Sequence, residues 1–80
     1  MTREEMIAEI TEELEQEFEI DKAAMLPDAP IYETLQLDSL SLVDLIGIVQ
    51  VKFGVLISKT ELPNIKTFNN LYDYIESHQK

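Results

Sequence analysis

The sequence contains no cysteine and no tryptophan, only two glycines, and six basic residues against sixteen acidic ones. Without cysteine the chain has no disulfides, no thiolate metal ligands and no thiol nucleophile, so any thiol in its chemistry has to be added after synthesis. Apolar residues are dispersed, and no run reaches the ~18 residues of a membrane-spanning helix. Because residues 2–5 are TREE rather than a basic segment before an apolar signal core, we expect a cytoplasmic protein.

The charge is strongly one-sided. A net charge of -10 repels phosphate backbones and anionic lipid head groups and favours basic protein surfaces. We therefore expect no nucleic-acid partner. With 80 residues the chain is expected to form one domain, residues 1–80, and so small a domain leaves little room for a deep enzyme cleft.

The first helix is predicted over residues 3–18. Thr2 and Glu5 have the spacing of a capping box, in which each side chain binds the backbone amide of the other residue. Apolar residues then recur every three or four positions, which is typical of one buried helix face. These residues are Ile7, Ile10, Leu14 and Phe18.

Residues 19–36 lose this period and contain Pro27 and Pro30, each of which disfavours helix at the preceding residue. We predict a long ordered connection there, and expect its apolar residues to pack against the helices. These residues are Ile20, Met25, Leu26, Ile31, Leu35 and Leu37.

Residues 40–53 are apolar at nine positions, and many are β-branched, which taken alone favours a strand. Their length, and the small or polar residues at 41, 44, 47 and 50, instead predict a helix with one narrow polar stripe. Asp38 or Ser39 is expected to cap its start, and Gly54 to end it. A helix so apolar is either buried centrally or has a partner-facing apolar face beside its buried one; the sequence leaves both open.

Two further helices are predicted towards the C-terminus. Ser58 and Glu61 have capping-box spacing, but Pro63 limits any helix there to about one turn. Thr67 is expected to cap a last helix that ends near residues 77–78. The fold class is therefore all-α: a bundle of three main helices and one short helix, with a long loop between the first and second.

The segment whose side chains could take part in a reaction is Asp38-Ser39-Leu40, where the helix of residues 40–53 begins. Both polar residues are good N-caps, which is a sufficient structural reason for them. A catalytic serine needs a base, and the only histidine, His78, lies near the other end of the chain. The sequence also has no calcium-loop motif and too few zinc ligands, so we expect no catalytic residues and no metal site.

The whole arrangement resembles the acyl carrier protein family. The signature of that family is Asp-Ser-Leu at the start of its second helix, here Asp38, Ser39 and Leu40. The resemblance extends over nearly the full chain, through the acidic first helix, the long loop, the Phe53-Gly54 pair and the Tyr74-Ile75 pair of the last helix. It implies a carrier protein, not an enzyme.

The resemblance implies that Ser39 receives 4′-phosphopantetheine from coenzyme A through a phosphopantetheinyl transferase. Asp38 would help the transferase to position its metal and the serine hydroxyl group. An exposed serine at a helix N-terminus is suited to this, because unsatisfied first-turn amides tolerate a phosphate. The thiol of the arm, which this cysteine-free chain lacks, would hold the acyl group as a thioester.

Partner recognition is expected along the same helix, at Leu40, Val43 and Asp44 together with Asp38. The partners implied are acyl-loading, condensing and acyl-transfer enzymes with basic or apolar docking surfaces, acting on a monomer. Fatty-acid carriers usually have several glutamates farther along, where this chain has Gln50 and Val51. We therefore expect weaker electrostatic docking and a specialised pathway, such as polyketide-like or lipid-tailoring synthesis.

Two alternatives stay open. One is an aminoacyl or peptidyl carrier, although the residues before Ser39 are closer to the acyl type. The other is a protein-interaction module of the same fold, in which Ser39 is only a helix cap and carries no arm.

Overall fold

Helices account for all the regular structure in residues 2–79, the part of the chain that the computed structural model describes. Three long α-helices and one short one follow each other along the chain. In order they are α1 (Arg3–Phe18), α2 (Ile31–Leu35), α3 (Ser39–Phe53) and α4 (Phe68–His78), with 3₁₀ turns at Lys22–Ala24 and Leu62–Asn64. The predicted all-α bundle, with a long connection between its first two main helices, is confirmed.

The ends of the long helices follow from local capping. The Thr2 hydroxyl group accepts a hydrogen bond from the Glu5 amide at 3.1 Å, and a Glu5 carboxylate oxygen accepts one from the Thr2 amide at 3.1 Å. Gly54 ends α3 in the left-handed region at φ 67°, a conformation that costs glycine little. Thr67 caps α4 as predicted, so the bounds of all three long helices agree with the sequence.

Two local predictions are corrected by the structure. The connection between α1 and α3 contains the short helix α2, which the sequence analysis did not predict. Pro30 is its N-cap, and proline opposes helix at the residue before it rather than after it. The expected cap at Ser58 does not form, because its hydroxyl group pairs with that of Thr60 at 3.0 Å and Glu61 is the N-cap of the 3₁₀ turn.

The core is formed mainly by α1, α3 and α4. Their apolar side chains with under a tenth of their surface exposed are Met6, Ile10, Leu14, Leu45, Val49, Phe53, Phe68, Leu71, Tyr72 and Ile75. The connections add Met25, Ile31, Leu35, Val55, Ile57, Leu62 and Ile65. Complete burial of one such large apolar side chain stabilises the fold by about 1.5–3 kcal/mol. The expected packing of the long connection is confirmed except at Leu26, which is 62% exposed.

The connection is held against the start of α4 by backbone hydrogen bonds. The Ile31 amide donates to the Lys66 carbonyl oxygen at 2.8 Å, and the Asn69 amide donates to the Pro27 carbonyl oxygen at 2.9 Å. The Tyr32 hydroxyl group, at the start of α2, donates to the Leu62 carbonyl oxygen at 2.7 Å. These contacts fix α2, and with it the segment that leads into α3.

Candidate functional site

Ser39 is the first residue of α3 and is exposed. The chain reaches it through a tight turn after α2, in which Gln36 adopts the left-handed conformation at φ 53°. The Leu37 amide then donates to the Tyr32 carbonyl oxygen at 2.9 Å, and the Leu37 side chain is half-buried against the core. The serine is therefore presented at the surface by backbone that is anchored on both sides.

Asp38 is the N-cap of α3. One oxygen of its carboxylate accepts hydrogen bonds from the Leu40 amide at 3.0 Å and the Ser41 amide at 2.8 Å. The hydrogen bond from the Ser41 backbone is the main cause that lowers the pKa of Asp38 from its ordinary value, because it stabilises the ionised form.

This cap corrects one expectation about the site. The first-turn amides of Leu40 and Ser41 are not unsatisfied, since the Asp38 carboxylate already binds both. A phosphate on Ser39 would therefore lie beside a carboxylate and extend into solvent. The exposure of Ser39 leaves room for it to do so.

The two faces of α3 differ in exposure, which resolves the alternatives that the sequence left open. Leu45, Val49 and Phe53 face the core. On the other side Leu40 is 77% exposed and Val43 is 63% exposed. The helix is thus apolar on both its buried face and its exposed face, and the exposed apolar face begins directly after Ser39.

The four residues predicted to face partners lie together at the N-terminal end of α3. Asp38, Leu40, Val43 and Asp44 are all exposed, as is Ser39 itself. Val51 was not among the residues expected to face partners, although it is 86% exposed. It follows Leu40 at a distance that returns to within about 20° of the same helical angle, and this was the available signal.

The residues that a catalytic site or a metal site would need do not gather around Ser39. The His78 ring stacks on Tyr74 with 4.0 Å between ring centroids, and its Nδ1 lies 2.9 Å from the Tyr74 carbonyl oxygen. The histidine is thus engaged within α4 rather than with Ser39. In residues 2–79 no three carboxylate or imidazole side chains converge as metal ligands, and no helix has the length and apolarity needed to cross a bilayer.

Comparison with known proteins identifies the family. The family model described as "Phosphopantetheine attachment site" matches residues 8–75. The acyl carrier protein of Rubrobacter xylanophilus is 35% identical over 79 residues, which cover 99% of this chain and 98% of that protein. The meromycolate extension acyl carrier protein of Mycobacterium leprae is 32% identical over 76 residues, covering 95% of this chain and 66% of that protein. The solved acyl carrier protein of Enterococcus faecalis has a TM-score of 0.81 and 28% identity, covering 99% of this chain and all of that one.

These similarities agree with the fold and with the exposed serine at the start of α3. Proteins of this family are carriers rather than catalysts, and they interact with phosphopantetheinyl transferases and acyl-handling enzymes. Their cofactor is covalently attached 4′-phosphopantetheine, and an exposed serine at a helix start can hold it. The chain therefore belongs to the acyl carrier protein family and uses 4′-phosphopantetheine as its cofactor.

Proposed function

We propose that Ser39 carries the phosphopantetheine arm and that the chain shuttles acyl intermediates between partner enzymes as a monomer. The observation that supports this most directly is the position of Ser39, exposed at the first residue of α3. Its neighbours Asp38 and Leu40 complete the Asp-Ser-Leu signature at that helix start. The arm supplies a terminal thiol that holds the acyl group as a thioester.

The residues around Ser39 have distinct roles in this proposal. Asp38 fixes the first turn of α3 through its hydrogen bonds to the Leu40 and Ser41 amides. Because these bonds favour its ionised form, Asp38 is a carboxylate at neutral pH. It is thus able to bind the metal of the transferase beside the serine. Leu40, Val43 and Asp44 form the first part of the surface that partner enzymes contact.

The pathway that we propose is fatty-acid, polyketide-like or another specialised lipid synthesis. Relatives named as acyl carrier proteins, and one named for meromycolate extension, support an acyl rather than an aminoacyl cargo. The scarcity of acids on α3, where the only acid is Asp44, supports a specialised set of partners. The assignment of an acyl cargo is tested by incubating the modified protein with a malonyl transferase and, separately, with an aminoacyl-loading enzyme. Loading by the second enzyme alone would contradict the acyl assignment.

The attachment site is tested by intact-protein mass after incubation with coenzyme A, magnesium and a broad-specificity phosphopantetheinyl transferase. Wild type is expected to gain one phosphopantetheine, and Ser39→Ala none. Ser41→Ala is the matched control, because it removes a half-buried hydroxyl group two residues later on the same helix. It keeps the backbone amide that binds Asp38, and we expect it to be modified like wild type.

Each other result has a definite meaning. A mass gain that persists in Ser39→Ala would move the attachment to a different residue. No gain in wild type, under conditions that modify another carrier protein, would overturn the carrier proposal. It would favour the alternative in which the same fold acts only as a protein-interaction module.

A further inference from the structure

Tyr32 binds two separate parts of the chain at once. Its hydroxyl group donates to the Leu62 carbonyl oxygen at 2.7 Å, and its own carbonyl oxygen accepts a hydrogen bond from the Leu37 amide at 2.9 Å. Leu62 is the first residue of the second 3₁₀ turn, and Leu37 lies two residues before Ser39. Within residues 2–79, the hydroxyl bond is the only hydrogen bond made by a side chain of α2. Tyr32 therefore joins this 3₁₀ turn to the segment that presents Ser39.

The acceptor of the Tyr32 hydroxyl group is part of the 3₁₀ turn itself. The Leu62 carbonyl oxygen also accepts a hydrogen bond from the Ile65 amide at 3.0 Å, and this second bond closes the turn. Both residues are buried, whereas Pro63 between them is exposed. The proline ring restricts the φ angle at that position. A change in the shape of the turn would therefore move the oxygen atom that Tyr32 binds.

The Tyr32 hydroxyl group remains protonated, and so remains a donor, around neutral pH. The residue is half-buried, and burial raises its pKa above the ordinary value for tyrosine, because burial disfavours the charged form. The separation of 2.7 Å is the usual one for a hydrogen bond between a hydroxyl group and an oxygen atom. The link between the two segments is therefore present whenever the protein is folded at neutral pH.

The turn between α2 and α3 needs contacts from outside to keep its shape. Gln36 has a φ of 53°, a left-handed conformation that is unfavourable for residues other than glycine and persists only where its surroundings enforce it. The Gln36 amide donates to the Glu33 carbonyl oxygen at 3.3 Å, which is long for such a bond. Helix α2 has only five residues and is too short to be stable alone. The Tyr32 hydroxyl group supplies one outside contact, beside the backbone bond from Ile31 to Lys66.

We propose that Tyr32 is a positioning residue for Ser39 and couples the 3₁₀ turn of Leu62–Asn64 to the start of α3. When the 3₁₀ turn opens, the hydroxyl bond is lost, the turn at Gln36 relaxes and Ser39 is presented less precisely. This inference rests on the proposed function, because it gives Tyr32 a role in presenting the serine that carries the arm. Coupling between two sites is reciprocal, so an enzyme that holds Ser39 in place also restrains the 3₁₀ turn.

The first test is amide hydrogen exchange, measured by nuclear magnetic resonance on the unmodified protein. The Leu37 amide reports on the turn before α3. The Leu42 amide, which donates to the Asp38 carbonyl oxygen at 2.9 Å, reports on the first turn of α3. Tyr32→Phe removes only the hydroxyl group, and we expect both amides to exchange about fivefold faster, the factor that corresponds to one ordinary hydrogen bond.

Tyr74→Phe is the matched control. Tyr74 is also half-buried, and its hydroxyl group donates to a backbone carbonyl oxygen, that of Leu56, at 3.2 Å. It lies on α4, so this variant loses the same group without a change in the segment before Ser39. We expect exchange at Leu37 and Leu42 to equal that of wild type. An equal acceleration in Tyr74→Phe would mean that general destabilisation is the cause, and would overturn the inference.

The coupling itself is tested by a double-mutant cycle with Pro63→Gly, which frees the φ angle inside the 3₁₀ turn. In the wild-type background this change is expected to accelerate exchange of the Leu37 amide. In the Tyr32→Phe background the link is already absent, and we expect no further acceleration. Such non-additivity is the sign of a direct interaction between the two positions. Equal effects of Pro63→Gly in both backgrounds would overturn the coupling.

The second test is phosphopantetheine transfer, measured as a single turnover with coenzyme A, magnesium and increasing amounts of transferase. We expect Tyr32→Phe to lower the rate constant at saturating transferase about fivefold, with the half-saturating concentration unchanged because the exposed face of α3 is intact. Tyr74→Phe should match wild type in both quantities. Circular dichroism establishes that each variant keeps its helices.

The results separate this inference from the proposed function. If wild type is never modified, the proposed function fails, and hydrogen exchange still decides whether Tyr32 couples the two segments. If wild type is modified normally and the rate constant of Tyr32→Phe is unchanged, only the positioning role is overturned. A higher half-saturating concentration with an unchanged rate constant would also overturn it, because Tyr32 would then affect binding of the transferase rather than presentation of Ser39.

Discussion

Replacing Gly47 by alanine is expected to stabilise the protein. Gly47 lies inside α3, and an added methyl group would meet no atom within 4 Å beyond its chain neighbours and the backbone of the helix itself, so no steric strain opposes the change. Alanine is favoured over glycine inside a helix by about 0.5–1 kcal/mol, partly because it restricts the unfolded chain. For a domain of this size a gain of about 1 kcal/mol raises Tm by roughly 4–8 °C.

The assay is thermal and urea unfolding of unmodified wild type and Gly47→Ala, with far-ultraviolet circular dichroism as the signal that monitors the loss of helix. Gly54→Ala is the control, because a Cβ atom at Gly54 also has no neighbour within 4 Å but its φ is 67°. This left-handed conformation costs alanine about 1–2 kcal/mol of conformational free energy, so Gly54→Ala is expected to lower Tm. An unchanged or lower Tm for Gly47→Ala would contradict this expectation, because it would mean that glycine is required there by the fold. Stabilisation by Gly54→Ala would refute the conformational argument at the end of α3.

Two further predictions concern hydrogen bonds around the site. Tyr32→Phe removes the 2.7 Å hydrogen bond to the Leu62 carbonyl oxygen and should destabilise the fold by about 1 kcal/mol in urea unfolding; no loss would mean that this bond does not help to hold α2. The pKa of Asp38 is lowered in the folded state, so its stabilising contribution is present above the ordinary carboxyl pKa and is lost as pH falls through the lower folded pKa. Nuclear magnetic resonance titration should show the Leu40 and Ser41 amide signals changing with that lowered pKa, and an ordinary pKa would contradict the cap.

The location of the candidate site followed from short-range patterns. Asp38, Ser39 and Leu40 are adjacent in the chain, and the cap that Asp38 forms involves only the next three residues. Leu40 and Val43 were expected to face partners, and both are exposed. The sequence did not establish how far this surface extends, because Val51 and Val49 are both β-branched apolar residues of one helix. Only the packing of α3 buries Val49 and leaves Val51 at the surface.

The caps at Thr2, Asp38 and Thr67 mark in the sequence where the three long helices begin, and Gly54 marks where α3 ends. Each of these signals acts between residues at most four positions apart, so it can be identified from the sequence without knowledge of the tertiary contacts.

Helix α2 and the two faces of α3 depend instead on long-range packing. Helix α2 depends on contacts such as the hydrogen bond from the Ile31 amide to the Lys66 carbonyl oxygen, between residues far apart in sequence. The helix is only five residues long, too short to be stable alone. Likewise, the division of α3 into a buried and an exposed face depends on where α1 and α4 pack against it. Long-range contacts of this kind leave no local pattern in the sequence, because their partners are brought together only when the core forms.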